Sequence, residues 1–78
     1  MGTGQRIIIE SSLKIIKRLQ KHGFSFVRSK GSHRQYSCNH TSKCHLVTIA
    51  VHGAKDVSDR DTRSIIRQSG LSKEEFYQ

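Results

Sequence analysis

Between Leu13 and Phe24 the spacing of apolar residues changes from helical to extended, with one glycine between the two patterns, and this switch dictates a helix followed at once by a strand. Leu13, Ile15, Ile16 and Leu19 form one apolar stripe, while Lys14, Lys17, Arg18 and Lys21 fall mostly outside it. Ser11 and Ser12 stand at the start, and Gly23 supplies the left-handed residue on which helices commonly end. A basic amphipathic helix over 12–22 is expected, with His22 near the negative pole of its dipole. From Phe24 the period is two: Phe24, Phe26 and Arg28 share one side of a strand, and Ser25, Val27 and Ser29 the other.

Lys30-Gly31-Ser32 then interrupts the strand, and two further short strands are expected over 34–38 and 46–51, separated by the polar loop 39–43. Val47, Ile49 and Val51 point to the core in this reading. Ser58 with Asp61 three residues later has the spacing of a capping box, opening a second helix that presents Ile65 and Ile66 to the sheet and stops at Gly70. Leu71 closes over that end, and Ser72 with Glu75 forms one last turn holding Phe76. The expected fold is a single small α+β domain, α-β-β-β-α, with a three-stranded antiparallel sheet and two helices on one face. Residues 1–10 read as an N-terminal extension and 11–78 as the domain.

A chain of 78 residues has room for one domain and no large enclosed pocket. Leu, Ile, Val and Phe number 19, enough to fold around a thin core. The net charge of +8 favours a polyanionic partner, whether RNA, DNA or an acidic protein. That charge is uneven: residues 1–30 carry seven Lys and Arg against Glu10, 31–55 three against none, and 56–78 four against five acids. The longest uncharged apolar run, Ile7 to Ile9, is too short to span a bilayer or to serve as a secretory signal, so no membrane association and a cytoplasmic location are expected. Cys38 and Cys44 are too few to staple a secreted mini-domain.

Four of the five histidines, His33, His40, His45 and His52, fall in the acid-free middle segment. Cys38, His40, Cys44 and His45 have donor types suited to tetrahedral zinc, but their C-x-H-x3-C-H spacing is not a common zinc knuckle; a hairpin that brings two thiols near each other is the alternative. No metal or other cofactor is expected.

Three ordered blocks carry a resemblance to a known family: Gly31-Ser32-His33 after Gly23, Phe24 and Arg28; Val51-His52-Gly53-Ala54-Lys55-Asp56; and Arg63-Ser64-Ile65-Ile66-Arg67-Gln68-Ser69-Gly70. Together they resemble the HicA (YcfA-like) family of toxin ribonucleases over about residues 11–76. The resemblance implies a fold like a double-stranded-RNA-binding domain, metal-independent cleavage of mRNA to arrest translation and growth, and neutralisation by an acidic HicB-type antitoxin that blocks the active site. It places the catalytic histidine of the Gly-Ser-His motif on His33. The chain departs from the family in residues 1–10, in Ala50 where Pro is common, and in the hairpin from Cys38 to His45.

The chemistry suits these residues, because RNA carries its own nucleophile. Cleavage requires a proton removed from the 2′-OH, charge stabilised on the phosphorane and a proton given to the leaving 5′ oxygen. Histidine titrates near working pH and serves either proton step. Arg28, Lys30 and Arg34 flank His33 with positive charge, and Ser32 beside it offers hydrogen bonds to a phosphate. His52 is either a second acid/base or phosphate ligand, or a turn residue anchoring a loop; Lys55 is a phosphate contact or simply solvated. Lys17 and Arg18 on the helix stripe are further candidates for the RNA backbone. Tyr36 either stacks on a base or packs, and the phenylalanines are assigned to the core. Two rival functions remain open at this level: a non-catalytic RNA-binding module, and a protein whose basic face meets only an acidic partner.

Overall fold

The computed structural model describes residues 6–38, 45–53 and 55–78. Helix α1, Ser12–Lys21, leads into strands β1, Phe24–Lys30, β2, His33–Cys38, and β3, His45–Ala50; helices α2, Asp59–Ser69, and α3, Lys73–Phe76, follow. The α-β-β-β-α order is thus present, with the expected last turn standing as a short third helix. Each helix begins on a serine: Ser11 Oγ accepts from the Lys14 N–H, Ser58 Oγ from that of Asp61, and Ser72 Oγ from that of Glu75. Only the last closes both halves of the capping box, through Glu75.

The sheet has the order β1-β2-β3 and both pairings are antiparallel. Its inner face carries Phe24, Tyr36, Cys38, Val47 and Ile49, and both long helices cover that face with Ile15, Ile16 and Leu19 from α1 and Ile65 and Ile66 from α2. Phe76 of α3 is fully buried in the same core. The opposite sheet face carries Arg28, Gln35 and Thr48, half-buried or exposed.

Strand β1 departs from the sequence expectation at two residues. The pairing passes from Phe26↔Tyr36 to Arg28↔Gln35, so Val27 is a β-bulge. The bulge reverses the alternation beyond it and turns Arg28 to the outer face, away from the side shared by Phe24 and Phe26. Phe26 is also not a core residue: it is 54% exposed on an edge strand, with its ring edge-on to Tyr36 at 5.8 Å between centroids. Tyr36 takes the buried place instead.

The described part of the N-terminal segment is packed against the domain. Ser11 bridges to Asp56, the Glu10 carbonyl accepts from the Val57 N–H at 2.8 Å, and Ile7 lies against the core.

Candidate functional site

The site is organised by the turn between β1 and β2. Lys30 pairs with His33, leaving Gly31 and Ser32 as a two-residue hairpin loop. Gly31 has φ of 59°, and Ser32 does not share that sign, the pattern of a type II′ turn with glycine at its first central position. This turn suits the twist of the flanking strands and makes His33 the first residue of the central strand. The Ser32 carbonyl accepts from the Val51 N–H at 2.7 Å, which continues the pairing of the second and third strands beyond His33↔Ala50.

Strand alternation places His33, Gln35 and Ser37 on the face opposite the hydrophobic core, and His33 is exposed there. An open groove of about 850 Å³ runs over this face, lined by His33 with Arg28, Lys30, Gln35 and Thr48 among others. A second depression of about 270 Å³ lies between His33, Ala50 and the α2 side chains Asp61, Ser64 and Gln68. A third, of about 210 Å³, adjoins it through Ala50, Val57 and Asp61, and holds His52 and Lys55.

The structure therefore brings Arg28, Lys30 and His33 into one groove and sets His52 and Lys55 in a neighbouring one. Ser32 is exposed at the turn, while Arg34, which follows His33 in sequence, faces the helix-covered side and is half-buried. Lys17 and Arg18 lie on α1, which packs on the other face of the sheet. Lys17 is exposed, whereas the Arg18 guanidinium is engaged by Glu10 through Nε to Oε1 at 2.7 Å and Nη2 to Oε2 at 2.8 Å, and lies 4.9 Å from the centre of the Tyr77 ring. That fork holds the Glu10 carboxyl below the usual carboxylate range and raises the Arg18 value.

Sequence reasoning missed Gln35, Thr48, Asp61, Ser64 and Gln68. Gln68 and Ser64 lie in the Arg-Ser-Ile-Ile block, but nothing in one sequence says that they face the histidine. Of the candidate zinc ligands, Cys38 is buried with its Sγ 3.9 Å from the His22 carbonyl oxygen, and His45 packs against Gly70; His40, Cys44 and the loop between them lie outside the described residues. Among the described residues no three His, Cys, Asp or Glu side chains are grouped to hold a metal ion.

The family model for the HicA toxin of bacterial toxin-antitoxin systems matches residues 13–71. The chain belongs to the HicA toxin family. The matched region includes the Gly31-Ser32 turn, His33 and the whole of α2, so every groove around His33 falls within the HicA toxin domain. Membership makes the protein the toxin partner of an antitoxin. No curated protein matches the chain. No helix among the described residues is long and apolar enough to cross a membrane.

Proposed function

We propose that this HicA toxin is an endoribonuclease that cleaves mRNA without a metal ion and thereby arrests translation and growth, with His33 as general acid or base. The observation that carries this reading is an exposed imidazole, on the first residue after a tight turn, in an open groove with two cations on its wall. Neutral His33 takes the proton of a 2′-OH, whose oxygen attacks the adjacent phosphorus; the bond from phosphorus to the 5′ oxygen breaks and that oxygen takes a proton from a second acid or from water. In the protonated form His33 serves the second proton step instead. The products are a 2′,3′-cyclic phosphate, which water hydrolyses to a 3′ phosphate, and a 5′-OH.

Arg28 and Lys30 stabilise the charge that develops on the phosphorane. Ser32, at the turn, offers a further phosphate contact. His52 and Lys55 are secondary candidates for the other proton step or for the next phosphate along the strand. Arg34 and Lys17 are outlying backbone contacts, and Arg18 contacts phosphate only in competition with Glu10. The partner that neutralises the toxin is an acidic HicB-type antitoxin, drawn to the +8 chain and covering the His33 groove in the cytoplasm.

The test is incubation of purified protein with single-stranded RNA in excess chelator. Fragments ending in a cyclic or 3′ phosphate are expected. RNA bound but left intact favours a non-catalytic RNA-binding module, a role compatible with this α-β-β-β-α order.

A further inference from the structure

The outer sheet face carries a chain of side-chain hydrogen bonds that crosses all three strands and ends on α2. Arg28 Nε donates to Gln35 Oε1 at 2.6 Å, and Gln35 Nε2 donates to Thr48 Oγ1 at 3.4 Å. The Thr48 backbone N–H donates to Gln68 Oε1 at 3.0 Å, and Gln68 Nε2 donates to Ser64 Oγ at 3.2 Å. Arg28, Gln35 and Thr48 line the same groove as His33.

The chemistry of the groups fixes the direction of this chain. A guanidinium and a backbone N–H only donate, so each glutamine must turn its oxygen toward them and its amino group onward. Gln35 therefore uses its acceptor on Arg28 and its donor on Thr48. The Thr48 oxygen accepts that bond, which leaves its hydroxyl proton for a group in the groove. Arg28 gives up only Nε and keeps both terminal nitrogens for a ligand.

We infer that Arg28 and the Thr48 hydroxyl form a phosphate-binding floor beside His33, and that Gln35 is the positioning residue that locks Arg28 in place. The inference rests on reading the groove as an RNA site. The ligand class is a ribose phosphodiester: Arg28 binds the phosphate oxygens, and Thr48 donates to the same phosphate. Ordering a long arginine before the ligand arrives removes that entropic cost from binding, an effect expected at about three- to tenfold in affinity.

The experiment is equilibrium binding of a short single-stranded RNA oligonucleotide to the full chain carrying His33→Ala, which prevents cleavage during titration. Gln35→Leu is expected to weaken binding about fivefold when Arg28 is present and less than twofold when Arg28→Ala is already in place. The salt slope is expected to stay unchanged in Gln35→Leu, because the Arg28 charge remains, and to fall by about 0.7 in Arg28→Ala. Thr48→Val is expected to weaken binding by a similar factor and Thr48→Ser to restore it.

An equal loss from Gln35→Leu in both Arg28 backgrounds, or Thr48→Val binding like the parent, overturns the inference while leaving the RNA site in place. A His33→Ala protein with no affinity for RNA overturns the reading of the groove and the inference together. Thermal unfolding of each variant shows that a loss of binding is not a loss of fold: a global defect would weaken binding in both Arg28 backgrounds alike.

Discussion

Replacing Glu10 by Gln tests how the chain outside the matched toxin region is held to the domain. Glu10 and Arg18 form a two-bond fork at 2.7 and 2.8 Å, with side chains 9% and 26% exposed. Around it, Tyr77 Oη accepts from the Ile8 N–H at 3.0 Å and Lys21 Nζ donates to the Gln78 carbonyl at 2.9 Å, so the fork lies where the segments on either side of residues 13–71 meet. A hydrogen bond to a charged group contributes about 1.5–3 kcal/mol. Arg18 keeps contact with water and its place over Tyr77, so we take the low end, ~1.5 kcal/mol, for loss of the carboxylate. For a domain of this size that lowers the melting temperature by roughly 6–12 °C. The assay is thermal unfolding of wild type and Glu10→Gln, followed by circular dichroism at neutral and acid pH. The Glu10 carboxyl is held below its ordinary value by the Arg18 hydrogen bonds. Its contribution is therefore complete above the ordinary value of an unfolded-state glutamate and is lost as pH falls through the lower folded value. The gap between the two proteins should be widest at neutral pH and close in acid. Equal melting temperatures at neutral pH, or a gap that persists unchanged in acid, would show that the Glu10 carboxylate does not hold this segment.

Two further outcomes follow from the geometry. Gly70→Ala should destabilise more than Gly31→Ala: both glycines have positive φ, costing about 1 kcal/mol or more for alanine, but a Cβ at Gly70 would stand 2.7 Å from the His45 ring while one at Gly31 meets nothing within 4 Å. Equal urea midpoints for the two variants would show that the histidine yields freely. Lys17→Ala should lower the salt slope of RNA binding by about 0.7 if the exposed face of α1 reaches a phosphate, and an unchanged slope removes α1 from the interface.

The elements whose positions were legible are those set by local chemistry. Helical spacing and Ser11 placed α1, Ser58 and Gly70 bounded α2, and Gly31 marked the turn that presents His33. The bulge at Val27 left no such mark, since no glycine or polar residue signals it, and it alone decides that Arg28 faces the groove. Phe26 looked like core because its alternation with Phe24 is correct, yet on the edge strand it is left 54% exposed. Arg18 read as a free cation because its partner, Glu10, lies eight residues away outside the helix. Gln35, Thr48 and Gln68 are ordinary polar residues in sequence, and their roles arise from strand register and the approach of α2 to the third strand.

In the proposed reaction the imidazole of His33 moves a proton during RNA cleavage. Single-turnover cleavage of one RNA by wild type and His33→Ala, with binding measured on the same preparations, isolates that proton step. A rate at least about a hundredfold lower is expected in the variant, with RNA still bound. Cleavage by His33→Ala at the wild-type rate would exclude the imidazole from the reaction.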